Sequence, residues 1–114
     1  MEPSGISDPL ATVKSREVQR ALLAEMAGDR SAASRHFLAA GHLELVLAED
    51  YVAAGADDLA LRSSLGAASC FWRADQILQA QGIFDALLKA YPSKTAAIQQ
   101  VIAELNQDHS AQAS

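Results

Sequence analysis

The chain has 114 residues, enough for one domain with a core, and its alanine-rich composition with few aromatic residues favours helix throughout. The formal net charge of −5 argues against nucleic acid as a partner, because an acidic surface repels phosphate backbones. No stretch reaches the roughly 18 uncharged apolar residues of a membrane span, so the sequence predicts a soluble cytoplasmic protein without a membrane partner.

Hydrophobic spacing predicts an all-α domain of five helices joined by short loops, with no strand. Residues 1–11 hold two prolines and a glycine and are expected to be a flexible lead-in. Residues 12–107 are expected to form a single helical domain, and residues 108–114 a frayed tail. The predicted helices span about residues 12–27, 30–54, 58–74, 76–91 and 94–107.

Turn residues separate the predicted helices. Gly28 and Gly55 each follow a periodic stretch, as is typical of the residue just past a helix end. An aspartate of Asp57-Asp58 is expected to cap the third helix. Gly41 lies inside the second helix at a cost of roughly 1 kcal/mol against alanine. Either a backbone packs closely there or the helix breaks, and we expect one continuous helix.

One pattern occurs twice in the chain: a turn residue, a small residue five positions on, and an aromatic residue four further on. Its members are Gly28, Ala33 and Phe37 in the first copy and Asp75, Ala80 and Phe84 in the second. The small residue lets a neighbouring helix approach closely, and the ring fills the gap beside it. The two copies are 47 residues apart (28 to 75), which indicates an internal repeat.

These hairpins resemble the tetratricopeptide repeat (TPR). Residues 60–93 match over a length of about 34 residues, with the small, aromatic, apolar and proline places held by Ala68, Ala80, Phe84, Leu87 and Pro92. The first unit matches at Ala21, Gly28, Ala33, Phe37 and Ala40. It lacks the closing proline, and its second helix is longer. The resemblance implies a right-handed α-hairpin array of two helix pairs plus a capping helix; the alternative is an unrelated helical bundle.

No residue combination predicts catalysis, a metal or a cofactor. His36 and His42 are six positions apart on different helix faces, and Cys70 is expected to pack as a small hydrophobic residue. The sequence has no glycine-rich phosphate loop and no zinc-protease or hydrolase motif. We therefore predict a non-enzymatic protein. A metal protein using His36, His42 and Glu49 is the least favoured alternative.

The TPR resemblance implies a concave groove, lined by the first helix of each pair, that receives a peptide or helix of a partner. The implied partner-binding residues are Val18, Gln19, Leu22, Glu25, Met26, Arg62, Leu65, Ser69, Trp72, Arg73, Gln99 and Ala103. Val18 and Leu22 stand where the family's carboxylate-clamping members have Lys and Asn, which argues against binding of a chaperone tail. Trp72 has two interpretations: an aromatic anchor for the partner, or a side chain buried against the second helix or the lead-in.

The predicted function is therefore a scaffold or adaptor that binds another protein. The alternative is a self-assembling structural homodimer closed through the extended second helix. Its dimer stripe would be Leu43, Val46, Leu47 and Tyr51. The interpretation that we favour for this stripe is burial against the third helix.

Overall fold

The computed structural model describes the backbone of residues 7–113 and the side chains of residues 8–108. Over this range the chain forms five α-helices and no strand, which confirms the all-α prediction. The helices are α1 (Ser7–Met26), α2 (Arg30–Ala53), α3 (Asp57–Arg73), α4 (Ile77–Ala90) and α5 (Thr95–Ala113). A short 3₁₀ turn, Pro92–Lys94, precedes α5.

The two outer helices are longer than predicted. α1 begins at Ser7 rather than near Thr12, because Pro9 falls in the first turn, where no backbone N–H is needed. Residues 1–6 of the predicted lead-in lie outside the described residues. α5 continues to Ala113, past the predicted end at Gln107, since neither proline nor glycine follows in the sequence to stop it.

The first three of the four connections between consecutive α-helices share one backbone geometry. A residue with positive φ follows each of α1, α2 and α3: Gly28 at 77°, Gly55 at 73° and Asp75 at 64°. The backbone amide of the next residue donates a hydrogen bond to the carbonyl five residues earlier. The three bonds are Asp29 N to Ala24 O at 2.8 Å, Ala56 N to Tyr51 O at 2.9 Å, and Gln76 N to Phe71 O at 2.8 Å. This is the Schellman arrangement, which satisfies carbonyls left unpaired at a helix end. The predicted turn glycines are confirmed, and an aspartate takes the same role in the third turn.

Capping at the helix starts differs from one helix to the next. Asp29 caps α2, because its carboxylate accepts a hydrogen bond from Ala32 N at 3.0 Å. The prediction that an aspartate caps α3 is wrong: the cap residue is Ala56, which makes no side-chain cap bond. Asp57 and Asp58 lie instead in the first turn, where their charges interact favourably with the helix dipole.

α2 is continuous through Gly41, as predicted. The close neighbour is a ring rather than a backbone: a Cβ built on Gly41 would lie 3.0 Å from Cε1 of Phe71. Phe71, from α3, is fully buried, so its ring cannot retreat easily. The glycine thus lowers helix propensity but makes room for close packing of α3 on α2.

The repeated residues are buried to the same degree in both copies. The exposed fraction is 1% for Phe37 and 2% for Phe84, and it is 4% and 0% for the preceding alanines, Ala33 and Ala80. The two copies belong to different core clusters. One contains Ala21, Phe37, Ala40, Cys70 and Ala74. The other joins α3, α4 and α5 and contains Ala67, Ala68, Phe71, Trp72, Ala80, Phe84, Leu87, Ile98 and Leu105. The sequence repeat is therefore also a repeat of packing.

Helix α2 packs against both α1 and α3, and α3 packs in turn against α4 and α5. Each hairpin is thereby joined to the next through the second helix of one and the first helix of the other.

Candidate binding cleft

A cleft of about 350 Å³ is lined by residues of α1, α2, α3 and α5. Its wall combines apolar and charged side chains. The lining residues are Lys14, Val18, Phe37, Glu44, Gly66, Ser69, Cys70, Arg73, Val101, Glu104, Leu105 and Asp108. A mixture of apolar and charged side chains is found in surfaces that bind other proteins.

Glu44 is the most unusual polar group in this cleft. It belongs to α2, and only 8% of the residue is exposed. Its carboxylate oxygen Oε2 lies 3.9 Å from Nζ of Lys14 on α1, and the Ser63 hydroxyl of α3 donates a hydrogen bond to it. Burial raises the pKa of the Glu44 carboxyl, and Lys14 and Ser63 offset this only in part. Glu44 therefore links three helices at an electrostatic cost.

Gly66 on α3 provides the space that the Glu44 carboxylate occupies. A Cβ at position 66 would overlap Oε2 of Glu44. The sequence prediction missed this pair, although one signal was available. Glu44 lies four and seven positions after Ala40 and Phe37, so it shares their buried helix face.

Arg73 on α3 lines the cleft and contacts two other helices. Its guanidinium carbon Cζ lies 5.3 Å from the centre of the Phe37 ring, within the range of a cation–π contact. Its Nη2 atom lies 3.8 Å from Oδ2 of Asp108 on α5. Arg73 also lines a neighbouring depression with Glu25 and Arg30. The side chain thus connects α3 to α2 and to α5.

The structure brings only some of the predicted partner-binding residues together. Val18, Ser69 and Arg73 line the cleft, and Glu25 lies in the depression beside it. Arg62 lines a separate recess, and Leu65 packs on the core. The other predicted partner-binding residues are exposed and line neither the cleft nor the depression nor the recess. They are Gln19, Leu22, Met26, Gln99 and Ala103.

Trp72 is not an exposed anchor, because only 9% of the residue is accessible. It belongs to the core cluster that also contains Phe84 of α4, and it lines a small depression with Phe84 and Ile102 of α5. The reason is helix rotation: Phe71 points at α2, and the next residue is turned by about 100°. Trp72 is therefore a buried part of the α3–α4–α5 core.

The stripe expected to close a homodimer does not form one exposed face. Leu47 is 1% exposed, and Tyr51 is half-buried. Both line a recess with Ala11 of α1 and Leu59 of α3. Val46, at 49%, is the stripe's most exposed residue. The stripe therefore serves largely to pack α2 against its neighbours.

The two described histidines make structural contacts. Nδ1 of His36 lies 2.6 Å from Oε2 of Glu17, which joins α2 to α1. The hydrogen bond with His36, assisted by Arg20, lowers the pKa of the Glu17 carboxyl. The His42 ring meets the Phe71 ring edge-on, with 5.1 Å between centres and a 77° angle between planes.

Cys70 lies in the wall of the cleft with 8% of the residue exposed. Burial, assisted by the nearby Glu44 charge, raises the pKa of its thiol to about 11. At neutral pH the group is a protonated, weakly polar packing residue. Among the residues whose side chains are described, no three of His, Cys, Asp and Glu are grouped as metal ligands.

No family model, no curated protein and no solved structure matches this chain. Within residues 7–113, no helix combines the length and apolar character needed to cross a membrane.

Proposed function

We propose that the protein is a non-enzymatic interaction module, a scaffold or adaptor of the TPR-like kind, whose cleft binds a peptide or helix of a partner protein. The observation that carries this proposal is the cleft itself. It joins residues from four helices, α1, α2, α3 and α5, and it includes Val18, Ser69 and Arg73, which the TPR resemblance places in a binding groove.

The composition of the cleft supports a protein ligand. Val18, Val101 and Leu105 offer an apolar wall, and five charged side chains also line the cleft. Apolar side chains of a partner would lose contact with water against this wall, and the charges would set the register of binding.

The repeat supports the TPR-like assignment. Three identical turns, and small and aromatic residues buried at equivalent positions, are what a stack of similar hairpins requires. The greater length of α2 is the departure from the family pattern. It carries the recess around Leu47 and Tyr51 and leaves the turns unchanged.

Selection from a library of random displayed dodecapeptides on the immobilised protein tests this proposal. Selected peptides are measured by fluorescence anisotropy against Val18→Gln and Val101→Gln, which place an amide in the apolar wall. Each variant should weaken binding about tenfold, equivalent to about 1.4 kcal/mol.

Gln79→Ala and Gln107→Ala are the matched controls, because both glutamines are exposed, lie outside the cleft and are not among the predicted partner-binding residues. Both should bind as the unmodified protein does, and circular dichroism should show equal helicity for all four variants. If every selected peptide binds the two cleft variants at full strength, the proposed function is wrong.

A further inference from the structure

The cleft contains more acidic than basic groups. Glu44, Glu104 and Asp108 contribute carboxylates, and Lys14 and Arg73 contribute the cations. The chain as a whole also carries a formal charge of −5. A ligand that enters this cleft therefore meets a net negative potential, which favours a cationic group.

Both cations of the cleft already have acidic neighbours. Nζ of Lys14 lies 3.9 Å from Oε2 of Glu44, and Nη2 of Arg73 lies 3.8 Å from Oδ2 of Asp108. These are long ion-pair distances. They leave room at each carboxylate for a further donor, since an ionised carboxylate accepts several hydrogen bonds.

Glu104 is held in a different way. One of its oxygens accepts a hydrogen bond from the Gln100 side-chain amide at 3.4 Å, a neutral partner one helical turn away. Its negative charge therefore stays available to a ligand. The side chain is exposed, which allows it to adjust to a bound cation.

The apolar wall lies beside this charge. On α5, Val101, Glu104, Leu105 and Asp108 follow at intervals of three, one and three residues, so they share one helix face. Val18 of α1 adds to the apolar part. Lys and Arg side chains suit such a surface, because their methylene stems bury against apolar groups while the charged head stays at the rim.

We propose that the cleft recognises a basic segment of the partner, with one Lys or Arg side chain lying along Val18, Val101 and Leu105 and its charged head beside Glu104. This inference rests on the proposed function and names the chemistry of its ligand.

The peptides selected above provide the probe. Those that depend on Val101 should share a Lys or Arg beside apolar residues. For one such peptide, replacing that residue by methionine keeps the apolar stem and removes the charge, and should weaken binding roughly fivefold. Glu104→Gln in the protein should have an effect of similar size on the original peptide and none on the methionine peptide.

Glu49→Gln is the control for general electrostatics. Glu49 is exposed on α2 outside the cleft, so its substitution removes the same charge elsewhere. It should leave binding unchanged at moderate salt. Val101-dependent peptides with no basic residue, or equal effects of Glu49→Gln and Glu104→Gln, would overturn the inference and leave the proposed function intact. Selected peptides that are sensitive to Val18→Gln but all insensitive to Val101→Gln would overturn only the inference. Peptides that are all insensitive to both variants would overturn the proposed function as well.

Discussion

The ring of Phe71 occupies the space beside Gly41 that a side chain on α2 would otherwise fill. Two opposing effects meet at this position. Alanine would improve helix propensity by roughly 1 kcal/mol, whereas a methyl group in a filled core costs about 1–3 kcal/mol. Because Phe71 is fully buried and its ring atoms would be 3.0–3.1 Å from the new Cβ, the steric cost should dominate.

We therefore expect Gly41→Ala to lower the free energy of unfolding by about 1 kcal/mol in urea denaturation. Gly82→Ala is the matched control. Gly82 is exposed inside α4, and a Cβ there would meet no atom within 4 Å. It should raise the free energy of unfolding by about 0.5–1 kcal/mol. Equal stabilisation by both substitutions would contradict the close packing of Phe71 on α2.

Substitution of Asp75 in the third turn should increase the stability of the folded protein. A non-glycine residue at a φ of 64° pays a steric cost that Gly28 and Gly55 avoid in the equivalent turns. Asp75→Gly should raise the free energy of unfolding by about 0.5–1 kcal/mol, measured by thermal or urea denaturation. The reverse change, Gly28→Ala, should lower it by about 1 kcal/mol. Destabilisation by Asp75→Gly would mean that the aspartate has a role beyond the turn.

The raised pKa of Glu44 predicts how stability depends on pH. Its pKa lies above the ordinary value of 4.5 in the folded protein because the carboxyl is buried. At pH values between the ordinary pKa of the unfolded state and the raised pKa of the folded state, the folded state binds more protons. The contribution of Glu44 to stability therefore falls as pH rises. Glutamine at this position has no charge to bury. Glu44→Gln should therefore gain stability relative to the unmodified protein between pH 4 and pH 7.

Urea denaturation of the two proteins at each pH measures this difference. Glu17, whose pKa is lowered, makes the stability depend on pH in the opposite direction. Because Glu17 is present in both proteins, its contribution cancels in the stability difference. A stability difference that stays constant with pH would show that Glu44 is not a costly buried charge.

The thiol of Cys70 should react slowly. With a pKa raised from 9.0 to about 11, its thiolate fraction at pH 8 is about a hundredfold smaller than that of an ordinary thiol, and burial restricts access further. Reaction with a thiol-specific disulfide reagent should be slower in buffer than in guanidinium chloride by a factor of about one hundred or more. Comparable rates in the two solvents would place the thiol at an accessible surface.

The features that depend on local backbone chemistry could be predicted from the sequence. Gly28 and Gly55 end helices because only small or special residues adopt positive φ readily, and this holds whatever surrounds them. The continuity of α2 also followed from the pattern, although the neighbour of Gly41 did not. Asp75 shows the limit of this logic, because an aspartate indicates a turn but does not by itself predict a positive φ.

The features that depend on how helices meet could not be predicted. Trp72 and Arg73 are adjacent in sequence, yet one is buried between α4 and α5 and the other reaches the cleft. That division depends on the positions of three other helices. Glu44 was missed for a related reason: its burial is possible only because Gly66, on another helix, leaves space for the carboxylate.

The shared turn geometry has a consequence for the length of the molecule. Ala27 and Ala74 stand at equivalent places, each directly before a positive-φ residue that the same hydrogen bonds hold. Ala74 can therefore be followed by Gly28 as well as by Asp75 without a change of backbone conformation. The segment from Gly28 to Ala74 is thus an insertable unit. A tandem copy would lengthen the helical stack by one hairpin through a junction that the chain already contains.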